Sequence, residues 1–96
     1  MKLLTEEIKK LLPQIGSQAN AEDPIVQVKF FCPWNSLWVW YGYEFDGEDL
    51  FFGLVNGFES ELGYFSLSEL ENITGPLGLG IERDINFTPK PLSECK

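Results

Sequence analysis

The segment that most restricts the fold of this chain is "SLWVWYGYEF", residues 36 to 45. Its alternation predicts a strand with Leu37, Val39, Tyr41, Tyr43 and Phe45 on one face and Trp38 and Trp40 on the other. A strand that is bulky and apolar on both faces has to be covered on both. It therefore belongs in the middle of a sheet, with a helix or a ligand over its second face.

The neighbouring segments supply such a sheet. "PIVQVKFFCPW" alternates Val26, Val28 and Phe30 against Gln27 and Lys29 and is stopped by Pro33, which predicts a half-buried strand. "DLFFGLVNGF" predicts a third strand ending at Asn56-Gly57, a strong hairpin signal, and "ELGYFS" a fourth. "IERDINF" predicts a fifth, with Ile81, Arg83, Ile85 and Phe87 inward; a nearby carboxylate is the expected partner of Arg83. Thr5 is placed to cap a short helix with Glu6 and Glu7 in its first turn, Lys9 and Lys10 in its last, and a stripe of Leu4, Ile8, Leu11 and Leu12. Pro13 ends it, and "QIGSQANAEDP" follows as a loop. "SLSE" from Ser66 is a capping box for a second short helix through Leu67, Leu70 and Ile73, ended by Gly75-Pro76. The expectation is one domain over residues 1–96 of class α+β: an antiparallel meander of about five strands, two short helices in a single layer on the sheet, and an extended tail from about residue 88.

Charge narrows the functional classes. With 15 acidic and 7 basic residues the net charge is −8, and no Lys or Arg occurs between Phe30 and Glu82. That field repels a phosphate backbone, so direct nucleic-acid binding is not expected. The absence of histidine excludes His-based acid–base, nucleophilic and metal chemistry. Cys32 and Cys95 form neither a zinc spacing nor a disulfide framework, so a reducing compartment is the simpler reading. "MKLLTEEIKK" does not read as a signal peptide and no apolar run is long enough to span a membrane, which points to a cytoplasmic protein. No cofactor is expected: "GPLGLG" lacks the lysine and the strand–helix context of a phosphate loop.

The candidate site is the acidic stretch "EFDGEDLFFG", with Glu44, Asp46, Glu48 and Asp49 at the mouth of an apolar strand. If "DGED" joins two strands, either Asp46 faces Asp49 or Glu44 does, at a cost of roughly 0.2–1 kcal/mol that a solvated turn tolerates. The plain alternative is thus an acidic loop that keeps an aromatic-rich domain soluble. The spacing does not match a calcium loop, and no metal site or catalytic residue is assigned. The functional reading is an interaction face in which Glu44, Asp46, Glu48, Asp49, Glu59 and Glu61 meet a basic partner protein, with Trp34 or Trp38 as an apolar anchor. The alternative is a carboxylate-based enzyme or divalent-metal domain using Glu44, Asp46 and Asp49, or an acid–base pair of Glu44 with Glu59 or Glu61. The other aromatics read as core, because stacking platforms for nucleic acid carry basic residues around them. Oligomeric state is not fixed by these features.

The wording of "VKFFCPW", "YEFDGEDLFFGLVNG", "ELGYFSLSELE" and "GPLGLGIERDINFTPKPLSE", with the opening "MKLLTEEIKKLLP", resembles the domain-of-unknown-function family numbered 2958 from end to end. The resemblance implies a small cytoplasmic bacterial protein, often carried on plasmids, conjugative elements or phages. It implies no activity, cofactor or catalytic residue. In that setting a DNA-mimic or anti-defence role is a speculative refinement of the protein-binding reading.

Overall fold

The computed structural model describes residues 3–95. Five strands form one antiparallel sheet: β2 (Val28–Phe31), β3 (Val39–Phe45), β4 (Leu50–Asn56), β5 (Ser60–Ser66) and β6 (Glu82–Arg83), in the order β5-β4-β3-β2-β6. β1 (Ile25–Val26) and β7 (Lys90–Pro91) pair as a separate two-stranded sheet, and the short helices are α1 (Glu6–Leu11) and α2 (Leu67–Asn72). The α+β class and the two helix starts agree with the sequence. Thr5 Oγ1 accepts from Ile8 N–H at 3.2 Å, and Ser66 Oγ accepts from Glu69 N–H at 3.3 Å.

Both faces of β3 are covered by protein. On one face Trp40 and Phe45 join Val28, Phe30, Phe51 and Phe65 under Leu3, Leu4, Leu12, Leu67, Leu70 and Ile81, so α1, α2 and their flanking residues form the lid. Phe30 and Phe51 are fully buried there, each contributing about 1.5–3 kcal/mol by burial. On the other face Tyr41, Tyr43 and Leu54 pack with Val26 and Leu92. The tail reaches that face because Asp23 accepts from Ser93 N–H at 2.9 Å and from Ser93 Oγ at 2.6 Å. It is not simply extended: after β7 it makes one 3₁₀ turn, Leu92–Glu94.

Four expectations are corrected. The predicted first strand is two, and the chain changes face at Gln27: Val26 lies in the Tyr41 cluster, Val28 and Phe30 in the Phe51 cluster. The fifth strand is confined to Glu82–Arg83, with Ile85 left exposed; among the bonds of Arg83 is one from Nη1 to the Leu3 carbonyl at 2.9 Å, which does not bear on its expected carboxylate partner. Leu11 is exposed, so the stripe of α1 consists of Leu4, Ile8 and Leu12. Phe45 lies on the same face as Trp40, opposite to its expected side, because of a bulge: Gly42 pairs with Gly53 and Glu44 with Phe52, leaving Tyr43 as the extra residue.

Candidate functional site

The bulge decides the fate of the first candidate carboxylate. Strict alternation puts Glu44 on the Trp40 face; the extra residue moves it to the Tyr41 face, opposite Phe52. There its carboxylate is 3% exposed and accepts from Gly16 N–H at 2.8 Å and Gln18 N–H at 2.7 Å. Gly16 has φ +88°, a conformation glycine adopts at little cost, and it aims its N–H inward. Gln18 completes the knot by donating to the Tyr43 carbonyl at 2.9 Å and accepting from Ile25 N–H at 3.0 Å. Glu44 thus pins the loop before β1 to the sheet, its carboxyl oxygens met by backbone donors.

Asp46 and Asp49 are also engaged within the chain. Asp46 Oδ1 accepts from the N–H groups of Glu48, Asp49 and Leu50 at 2.8, 2.8 and 3.0 Å, closing the turn between β3 and β4. Those donors, that of Asp49 foremost, hold its carboxyl below the usual 3.8. Asp49 accepts from Ser66 Oγ at 2.5 Å, Ser68 N–H at 2.8 Å and Ser68 Oγ at 2.9 Å, fastening the turn to the start of α2. The Ser66 hydroxyl, then the Ser68 N–H, likewise lower its carboxyl below 3.8. Across the ladder, Glu44 meets Phe52 and Phe45 meets Phe51, so the carboxylate-facing registers do not form. Glu48 is exposed beside them.

Glu59 and Glu61 stand elsewhere. β4 runs from the acidic turn to Asn56, so the Asn56–Ser60 turn lies at the other end of the sheet, about 20 Å away at the usual strand rise. Glu61 pairs with Val55, which packs on the Phe51 face, whereas Glu44 is on the Tyr41 face, so these two are not an acid–base pair. Among the described residues no three His, Cys, Asp or Glu side chains gather as a metal set, and Glu44, Asp46 and Asp49 each have their own hydrogen-bond donors.

The end carrying Glu59 and Glu61 is aromatic. Trp38 and Trp40 stack with centroids 5.9 Å apart and planes at 24°, and Phe58 meets Trp38 edge-on at 5.7 Å. Glycines seat the indoles. A Cβ at Gly57 would lie 2.4 Å from the Trp38 ring, and one at Gly75 would lie 2.4 Å from the Trp34 ring. Asn56-Gly57 therefore does more than turn the chain: it gives Trp38 a floor. Trp38 divides two cavities. One, of about 290 Å³, is lined by Cys32, Trp34, Trp40, Ile73 and Ile81. The other, of about 370 Å³, is lined by Trp38, Val55, Gly57, Phe58, Glu59 and Glu61.

Of the predicted site residues, then, the fold brings Trp38, Glu59 and Glu61 together with Trp34 one cavity away, and gathers Asp46, Glu48 and Asp49 at the opposite end. Glu44 belongs to neither surface. Sequence reasoning missed Phe58, which is 87% exposed although apolar. Its signal was its place directly after Asn56-Gly57, where a hairpin turn has no core to fill. "GPLGLG" is a closed turn: Gly75 N–H donates to the Leu79 carbonyl at 2.7 Å, and Thr74 bridges Gly80. Among the described residues no lysine or arginine lines the Glu59–Glu61 cavity, and Lys9 and Lys29 pair with Glu6 and Asp84. No helix among the described residues is long and apolar enough to cross a membrane.

A family model described as protein of unknown function (DUF2958) matches residues 3–95. No curated protein and no solved structure matches the chain.

Proposed function

This chain belongs to the DUF2958 family, and for it we propose a non-enzymatic protein-binding role in which the Trp38–Phe58–Glu59–Glu61 end receives a cationic side chain of a basic partner. The observation that carries this reading is the shared cavity: two carboxylates and two aromatic rings line one recess, with no lysine or arginine among the described residues that line it. Aromatic faces attract a lysine or arginine head by about 0.5–2 kcal/mol, and a carboxylate beside them adds a charge-assisted hydrogen bond. Phe58 supplies the exposed area that Trp or Phe gives at interface hot spots. Trp34, with the neighbouring apolar cavity, extends the contact.

The reading differs from the one drawn from sequence in where it puts the contact. Asp46 and Asp49 hold the β3–β4 turn and α2, so they contribute a background field and not direct bonds. It asks for one or two cationic side chains, and not for the long charge array of a DNA mimic.

Affinity capture from a bacterial lysate tests it when run with paired variants. Glu59→Gln with Glu61→Gln, and Phe58→Ala separately, are expected to lose the captured protein, while Glu48→Gln keeps it. Capture is expected to weaken steeply with salt, since exposed charges are screened within about 10 Å at 0.1 M. A partner retained by all three variants, or bound equally at high salt, contradicts the proposal.

A further inference from the structure

The two edges of the main sheet are built differently. β6 is two residues long and carries Arg83 at its end, a short charged edge of the kind that discourages pairing. β5 is seven residues long, straight in register with β4, and contains neither lysine nor proline. Among the described residues no strand lies along its outer side. Leu62 and Tyr64 stand 56% and 59% exposed on its Tyr41-side face. There they border a groove of about 470 Å³ and continue the aromatic row Tyr43–Phe52–Tyr64, whose centroids lie 5.6 and 4.9 Å apart.

Gly63 lies at the centre of this strand, and no contact among the described residues requires a glycine there. A Cβ built there meets no atom within 4 Å, and its φ is not in the left-handed region. Glycine weakens a strand interior, and where no internal contact demands it, it marks a place where another backbone approaches.

We propose that the outer edge of β5 pairs antiparallel with β5 of a second copy of this chain, about a two-fold axis at Gly63. "SELGYFS" repeats serine at its two ends and places an apolar residue on either side of Gly63, with Glu61 and Phe65 as the one unlike pair. The axis sets Leu62 opposite the partner's Tyr64 and Ser60 opposite the partner's Ser66, so the exposed apolar pairs meet on one face and the serines flank them. The hydrogen-bond parity agrees. Leu67 N–H donates to the Asp49 carbonyl and Gly57 N–H to the Glu59 carbonyl, so the odd-numbered residues of β5 bond to β4. The N–H and C=O groups of Leu62 and Tyr64 then point outward and are satisfied by the partner's Tyr64 and Leu62. Gly63 meets its own copy at the closely spaced, non-hydrogen-bonded position, about 4.5 Å between Cα atoms.

Charge selects the same register. Glu61 is the only charged residue of β5. In this pairing it lies opposite the partner's Phe65 and about 14 Å along the strand from its own copy, beyond the screening length of about 8 Å at physiological salt. A slide that centres the axis on residue 61 sets the two Glu61 side chains face to face and breaks the Leu62–Tyr64 pairs. The inference rests on other observations than the aromatic recess does, although Glu61 belongs to both: its side chain lines the recess while its backbone lies within the paired segment.

The test is sedimentation velocity of the full chain over a wide concentration range at physiological salt, joined to disulfide trapping. A concentration-dependent species of twice the chain mass is expected, with Leu62→Lys and, separately, the milder Tyr64→Thr weakening association at least tenfold; circular dichroism confirms that both remain folded. In a Cys95→Ser background, Gly63→Cys is expected to form an intermolecular disulfide on mild oxidation, because the open space at Gly63 admits the side chain and the pair geometry suits the bond. Glu59→Cys, well off the axis, is expected to trap far less. The proposal is overturned by a chain that stays monomeric and traps no better at 63 than at 59. A dimer indifferent to both edge variants overturns it as well, as does a monomer whose β5 edge takes up an extended foreign peptide instead.

Discussion

The two ends of the β3–β4–β5 sheet carry the same residue types and use them in opposite ways. At the β3–β4 turn, Asp46 closes three backbone N–H groups and Asp49 holds Ser66 and Ser68. At the β4–β5 turn, Asn56 accepts from Ser60 Oγ, while Glu59 and Glu61 line an open recess under Trp38 and Phe58. Proximity in sequence to an apolar strand says nothing about which case holds. What distinguishes them is whether unsatisfied N–H and hydroxyl donors lie within reach. The acidic turn sits beside the start of a helix, a concentrated source of donors, and the aromatic turn does not.

The comparison can be broken, and the largest expected effect concerns the carboxylate that joins neither end. Glu44→Ala leaves the N–H groups of Gly16 and Gln18 without their acceptor inside a covered site, and is expected to cost about 2–3 kcal/mol in urea unfolding. A loss below 0.5 kcal/mol would mean that Glu44 is a surface acid after all. Next is Gly57→Ala, which drives a methyl into the Trp38 ring. About 1–3 kcal/mol is expected, together with altered near-ultraviolet dichroism as the Trp38–Trp40 stack is disturbed.

Acid separates the ends without mutation. The carboxyls of Asp46 and Asp49 are held below 3.8 in the folded chain, so the unfolded state binds more protons at low pH. Their stabilisation is complete above the unfolded value near 3.8 and is lost as pH falls through the lower folded values. Melting temperature is therefore expected to drop in that window, and the double variant Asp46→Asn, Asp49→Asn to flatten the drop. The smallest stability effect is expected from Phe58→Ala, within about 0.5 kcal/mol for so exposed a side chain, even as partner binding falls tenfold or more.

Local signals carried far in this chain. Thr5 and Ser66 act on N–H groups three residues away, as their residue types predict, and the hairpin after β4 forms where Asn56-Gly57 marks it, although Gly57 is not in the left-handed region. The need to cover both faces of residues 36–45 was also legible, because it follows from side-chain character alone. What escaped is parity. One extra residue at Tyr43 and one change of face at Gln27 reassign Glu44, Phe45 and Val26 to other sides of the sheet. Both depend on tertiary pairing, with β4 and with β7, that alternation along a single strand does not encode. The acidic stretch is divided in part for the same reason. Four carboxylates within six residues look like one surface, yet a bulge turns one inward and the helix start captures another.

The claim on which the functional reading rests is that the Trp38–Phe58–Glu59–Glu61 recess, and not the acidic turn, is the cation-receiving surface. A titration of the chain with N-acetyl-argininamide, followed by amide and indole chemical shifts, tests it without a known partner. Saturable shifts are predicted at the Trp38 indole and at Gly57, Phe58, Glu59 and Glu61, abolished by Glu59→Gln with Glu61→Gln. Shifts centred on Asp46, Glu48 and Asp49, or spread evenly over the acidic residues, would contradict the account.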